Sequence, residues 1–204
     1  MRLLAVLLPL FCFGQDWGSL HIVNGILPLS KKLTVQLHSR LRTNQDLREF
    51  FQARGGLIAN YQLRPRLILI GGYYFLGEQS APEKFNNFHR VFGGGQVFLP
   101  ISKDLMLESR TLMERFIGTP RDSYMRNRQR LWLTFGKRTV KPFVQAEALL
   151  ERGVPIGRFG SGIQITSRAG HNFFVGYEIR QLQGGGHIQL IATNFQFRLK
   201  SATR

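Results

Sequence analysis

The chain holds one cysteine, Cys12, and it lies inside an apolar leader-like run. If that leader is removed, the mature protein can form no internal disulfide and no thiolate metal site. Acidic residues are also scarce, with 12 Asp+Glu against 28 Lys+Arg and a formal charge of +16. Beyond the leader no stretch approaches about eighteen apolar residues, which excludes a transmembrane helix. Such a chain is either soluble after export or enters a membrane as strands.

The leader has three parts: Arg2 as a positive start, Leu3 to Phe13 as an apolar run, and Cys12 and Gly14 as small residues ahead of Gln15. This is the layout of a cleavable secretory signal peptide, and the run is too short to span a bilayer. Cys12 as a lipoprotein acylation site is disfavoured by bulky Phe11 before it. Residues 1–14 are read as signal peptide, 15–32 as an N-terminal segment, 33–200 as one barrel domain and 201–204 as a tail. No linker or low-complexity tract divides the chain.

What the chain has in quantity is glycine (22), phenylalanine (17) and period-two alternation. Leu33, Val35, Leu37 and Leu41 oppose Thr34, Gln36, His38, Arg40 and Arg42. Leu105, Leu107, Thr111 and Met113 oppose Glu108, Arg110 and Glu114, with Leu112 as the exception. Asn127, Gln129, Leu131, Leu133 and Phe135 oppose Arg126, Arg128 and Arg130. Val144, Ala146, Ala148 and Leu150 oppose Gln145 and Glu147, and Phe173, Val175, Tyr177 and Ile179 oppose Gly176, Glu178 and Arg180. Side chains of a strand alternate between faces, whereas a helix needs apolar residues three and four apart. Stretches at 51–61 and 67–76 are glycine-marked and more apolar, and 86–98, 157–166 and 187–199 complete the set.

Short turns (Arg64-Pro65, Pro100 to Asp104, Gly136-Lys137, Ser167 to Gly170) alternate with longer connections. The longer ones are Thr43 to Leu47, Gly77 to Lys84, Gly118 to Ser123, Arg152 to Pro155, and Gln183 to Gly186. That rhythm predicts an all-β, transmembrane, antiparallel up-and-down barrel of about ten strands, with turns in the periplasm and loops outside. An even count returns both ends to the periplasm. It leaves Trp17 to Ile26 over, as an eleventh strand, half of a missed hairpin or, preferably, a segment in the lumen or at the rim.

A soluble lipocalin-like barrel has the same alternation turned inside out, with apolar residues inward. Three features favour the membrane. Aromatics gather near strand ends: Tyr73-Tyr74-Phe75, Phe98, Phe116 with Tyr124, Phe135, and Phe195 with Phe197. Interfacial girdles have this distribution. Charges of both signs fall in strand centres, where they can pair across a narrow lumen. The last strand is aromatic-rich.

Leu107-Glu108-Ser109-Arg110 running to Glu114-Arg115-Phe116, Arg126-Asn127-Arg128-Gln129-Arg130-Leu131, and Val144 to Glu147 resemble successive strands of the bacterial domain-of-unknown-function family 2490. Trp17 and the Ser30-Lys31-Lys32 turn before Leu33 are similar to that family's opening. The resemblance spans nearly the whole mature chain. It implies a small outer-membrane barrel in a Gram-negative bacterium and supplies no activity.

The residues singled out are Glu108, Arg110, Glu114, Arg126, Arg128, Arg130, Glu147, Glu178 and Arg180, as a lumen charge network. Arg126, Arg128 and Arg130 share a face and suit an anion-selective ring or a phosphate-binding stripe. Pairing with Glu108, Glu114 and Glu147 on neighbouring strands is the favoured reading, because those strands carry matching carboxylates. Glu147, Glu178 and His187 form a candidate acid/base set. His21, His38, His89 and His171 sit in no recognisable serine-hydrolase pattern, so no enzyme, metal or cofactor is expected. Gly93-Gly94-Gly95 reads as a bend in a strand and Gly184-Gly185-Gly186 as a loop tip, since neither precedes the Lys-Ser/Thr and helix that a phosphate loop needs. Export and dispersed arginines argue against nucleic acid. Lipopolysaccharide phosphates are the expected anionic partner, met by Lys84 and Arg121, whose neutralisation should weaken lipopolysaccharide retention. The function expected is a structural barrel or a narrow, plugged pore with a charged Arg/Glu lumen; its rivals are a lipid-modifying outer-membrane enzyme and a secreted barrel that binds an apolar ligand.

Overall fold

The computed structural model describes residues 17–44, 47, 49–81, 84–119, 123–136, 139–182 and 185–200. The leader with its cleavage point, Arg121, Gly184 and the tail 201–204 lie outside these residues. Eleven strands follow one another: β1 (Trp17–Pro28), β2 (Leu33–Asn44), β3 (Glu49–Arg64), β4 (Leu67–Ala81), β5 (Lys84–Ser102), β6 (Leu105–Thr119), β7 (Tyr124–Phe135), β8 (Val140–Glu151), β9 (Val154–Thr166), β10 (Asn172–Gln181) and β11 (His187–Arg198). Each pairs with its predecessor antiparallel, and β1 closes the barrel by pairing with β11 in parallel.

The expected ten strands are therefore corrected to eleven. The Trp17 segment is a full wall strand, not a piece in the lumen or at the rim. Closing a meander with an odd number of strands requires one parallel pair, here Trp17 opposite Gln189 through Ile26 opposite Arg198. Trp17 and Arg198 consequently lie at opposite ends of the barrel, whereas Leu33 and Arg198, the bounds of the ten expected strands, share one end as expected. The β1 segment escaped prediction because its two faces differ little in polarity. Leu20 and Ile22 face inward, joining an apolar cluster with Ile188, Leu190 and Ala192, while Val23 faces outward.

The contrast between short turns and long loops also disappears. At the Arg198 end the connections are 29–32, 65–66, 103–104, 136–139 and 167–171; at the Trp17 end they are 45–48, 82–83, 120–123, 152–153 and 182–186. One supposed loop is largely strand, since β4 runs on through Ala81 to a hairpin with Lys84, and a second loses Gly118 and Thr119 to β6. Their polar residues suggested loop, but ladder hydrogen bonds satisfy the backbone there. Arg152 and Gly153 form a two-residue hairpin with φ of 53° and 81°. Two consecutive positive φ values match the twist of the flanking strands. Gly185 and Gly186, at 95° and 75°, also occupy left-handed conformations, at the loop tip expected for them.

The alternation defines two faces. Outside lie Leu37, Leu41, Leu57, Leu69, Met113, Leu131, Val144, Leu150, Phe159, Ile163, Val175 and Ile191, all exposed. Between strand ends Arg115 is the single charged side chain at an outward-facing position among the described residues. Tyr73, Phe75, Phe135, Phe195 and Phe197 are exposed on this face. Tyr74 and Phe116 are buried inside, Tyr124 packs with Phe116, and Phe98 lines the cavity, so these four leave the proposed girdle.

Inside, glycine and bulk alternate across adjacent strands. The Tyr74 ring lies over Gly56, the Phe92 ring over Gly72, and Leu112 over Gly94, so a Cβ on any of these glycines would meet that neighbour and the backbone. Gly93 and Gly95 face outward with ordinary clearance. The triple glycine thus continues a strand whose central residue admits Leu112. Ile70, Tyr74, Phe92 and Leu112 form the resulting core cluster, with Ile58 and Ile68 against it.

Candidate functional site

The lumen of β6 to β10 is built from arginine and glutamate at alternate positions. Register sets the neighbours: Glu114 is opposite Arg126, Arg130 opposite Glu147, and Glu147 opposite Arg158. Glu114, fully buried, is the hub. Its Oε2 accepts from Arg126 Nε at 2.6 Å, its Oε1 pairs with Arg90, and Arg128 Nη1 stands 3.8 Å away. Arg126 also donates to Glu151 at 3.0 Å. Glu147 pairs with Arg128 and accepts from Arg158 Nη1 at 3.1 Å. Arg130 pairs with Glu108, and Arg180 with Glu178, which also accepts from Gln145 at 3.1 Å.

Eight of the nine residues singled out from sequence are joined in these pairs. Arg110 is the exception; it has no ion pair or hydrogen bond among the described residues, although it faces the same space. Sequence reasoning did not include Arg54, Arg90, Glu151 or Arg158 in the network. Arg54 and Arg90 lie on strands interrupted by glycine (Gly55-Gly56 and Gly93 to Gly95) whose inward faces mix polar residues with Ile58, Phe88 and Phe92, so no charged stripe marked them. Arg40 and Arg42 were on a recognised polar face without being counted. Aromatic rings support several guanidiniums: Arg126 lies 4.6 Å from the Phe116 ring, and Arg54 and Arg90 lie 4.3 and 5.1 Å from Tyr74. Cation–π contacts of this kind strengthen when water is excluded.

A polar relay occupies the β1–β3 wall. Asn24 Oδ1 accepts from Gln36 Nε2 at 2.6 Å and contacts His38 Nδ1 at 2.8 Å, while Arg54 donates to His38 Nε2 at 3.2 Å from its Nε. Glu147, Glu178 and His187 are not brought together. The glutamates are in the lumen, and His187 is exposed at the first residue of β11. Among the described residues no group of three or more His, Cys, Asp or Glu is arranged to hold a metal ion.

The interior is open over one half of its length. A cavity of about 1230 Å³ runs from Pro100, Ser102, Lys103 and Gly136 at the Arg198 end down to Arg40, Arg54, Arg128 and Arg158. Its upper wall carries amides (Gln36, Asn60, Gln96, Gln164, Asn172, Asn194) and the rings of Trp132, Phe143 and Phe174. Trp132 stacks on Phe143 at 4.1 Å between centroids. Towards the Trp17 end, Leu76, Phe88 and Phe116 pack together with Tyr124, and Leu149 and Leu190 are almost fully buried. The shape is a cup with a charged floor.

No match was found among curated proteins or among solved structures. The sequence model of the family described as "Protein of unknown function (DUF2490)" matches residues 17–190, and the chain belongs to that family.

Proposed function

We propose that the protein is an exported outer-membrane β-barrel whose lumen is a cup rather than an open pore. The carrying observation is the sidedness of the wall: large apolar side chains are exposed around its outer face, and the carboxylates and guanidiniums of strand centres point inward. A soluble barrel with that outer face would carry a contiguous apolar surface far larger than monomers in water present. In a bilayer the same face is solvated by lipid, and the closed ladder leaves no unpaired strand edge. The buried ion pairs and the packed aromatic end oppose ion flow, so the reading is a structural or ligand-holding barrel without catalysis.

The test is expression of the full precursor in a Gram-negative host, followed by membrane fractionation and electrophoresis with and without boiling. Recovery in the outer membrane with a boiling-dependent shift supports the reading, as does the absence of stepwise conductance in planar bilayers. Recovery in the soluble periplasm without a shift overturns it and favours the secreted binder, whose ligand would then contact Ile70, Phe92 and Leu112. Lys84, exposed at the first residue of β5, is on hand for lipopolysaccharide phosphates. Unchanged lipopolysaccharide co-purification after Lys84→Gln with Arg121→Gln removes that partner.

A further inference from the structure

Three times around the wall, two arginines stand directly opposite each other on adjacent strands with both side chains in the lumen. The pairs are Arg40 with Arg54 (β2 and β3), Arg110 with Arg130 (β6 and β7), and Arg158 with Arg180 (β9 and β10). All six line the one cavity. Like charges directly opposite in a sheet destabilise it; carboxylates do not balance the first two pairs, and in the third Glu147 is shared between Arg158 and Arg128. Arg130, Arg158 and Arg180 each have one glutamate, whereas Arg40, Arg54 and Arg110 have none. Among the described residues Arg40 donates to the neutral Gln52, and Arg54 donates to His38 and lies over the Tyr74 ring. The Nε atoms of Arg40, Arg110, Arg130 and Arg158 are shielded from solvent and have no hydrogen-bond partner. Buried donors of this kind are costly unless an acceptor meets them.

We propose that the cup binds the phosphate monoester group of a small organic molecule on these opposed arginines. Paired guanidinium forks present parallel N–H donors, the geometry that grips a tetrahedral dianion through two oxygens at once. The remaining glutamates hold their own arginines upright and keep the floor from becoming uniformly positive. Above the floor, the stacked Trp132 and Phe143 with Phe174 offer an aromatic wall for the organic body, and the amides offer donors and acceptors. The cavity is large enough for a ligand of that size, since ligand pockets usually measure roughly 300–1,000 Å³. Entry is from the Arg198 end, where the cavity reaches the turns. This proposal deepens the cup reading of the lumen and is independent of where the barrel resides.

The experiment uses the full mature chain in detergent micelles with Trp17→Phe, which leaves Trp132 as the sole tryptophan. Phenyl phosphate, inorganic phosphate, phenol and dihexanoyl phosphatidate are titrated, following Trp132 fluorescence and calorimetric heat. Phenyl phosphate should bind saturably and phenol should not. Arg40→Gln and Arg110→Gln should each weaken phosphate binding roughly tenfold or more, while outward-facing Arg115→Gln leaves it unchanged. Tighter binding of the phosphatidate than of phenyl phosphate assigns the group to a lipid headgroup; the reverse order assigns it to a soluble ester, and both support the site. Without ligand, the melting temperature of the two lumen variants should stay level or rise, because each relieves a like-charge contact. No saturable binding by the phosphates overturns the proposal. So does an equal loss with Arg115→Gln, or a lower ligand-free melting temperature in both lumen variants, which would make those arginines structural. The boiling-dependent gel shift, run on the same samples, reports barrel integrity separately.

Discussion

Two sectors of one lumen solve the same packing problem differently. The β3–β5 wall fills its share with rings and aliphatics laid over glycine: Tyr74 on Gly56, Phe92 on Gly72, Leu112 on Gly94. The β6–β10 wall fills its share with guanidiniums and carboxylates: Glu114 meets Arg126, and Glu147 meets Arg130 and Arg158, beside the like-charged pairs Arg110–Arg130 and Arg158–Arg180. The first is held mainly by shape, with Arg54 and Arg90 as its inward cations. The second is held by pairing, and its members depend on one another, because removing one partner leaves a buried charge uncompensated. The difference shows that a small barrel interior can be close-packed without being uniformly apolar.

The sharpest way to break the comparison is Glu114→Gln. It strips the fully buried hub from Arg90 and Arg126 while keeping size and shape, and should cost about 3–5 kcal/mol in denaturant unfolding from micelles. A loss as small as that of an exposed pair would mean that the charged sector is held by packing after all. Next is a matched pair in the other sector. Gly72→Ala places a methyl against the Phe92 ring and the Leu57 carbonyl and should cost about 1–3 kcal/mol by overpacking. Gly71→Ala faces outward with its nearest neighbour at 3.9 Å and should be close to neutral. Equal effects would show that backbone freedom, not the ring above it, explains the glycine. The third prediction grades the charged sector within itself. Glu108 and Arg130 are each 18% exposed at the side chain, so Glu108→Gln should cost only about 1 kcal/mol or less, read from the same unfolding curves. The smallest effect belongs to the outer face: Arg115→Gln should shift stability by no more than about 0.5 kcal/mol.

The same contrast explains what could be read in advance. On β2, β6, β7, β8 and β10 the inner face is polar and the outer apolar, so alternation identified each strand and set the nine network residues on its polar face. On β3, β4 and β5 glycines break up the faces (Gly55-Gly56, Gly71-Gly72, Gly93 to Gly95) and large apolar side chains stand inside among polar ones, so alternation fades, the strands were marked mainly by glycine, and Arg54 and Arg90 were left out. On β1, Leu20 and Ile22 inside and Val23 outside remove the signal, and the strand was set aside.

Period-two patterning by itself determined that this chain forms strands, which face of the clear ones is charged, and that arginines and glutamates share that face. Tertiary structure alone decided that there are eleven strands, that β1 lies parallel to β11, and that Glu114 holds three arginines within reach. It also decided that Arg40 meets Arg54, Arg110 meets Arg130, and Arg158 meets Arg180. The reason is that alternation carries the direction of a side chain but not its neighbour. Neighbours follow from hairpin register and from the closure of the first strand on the last, contacts between residues far apart in the chain.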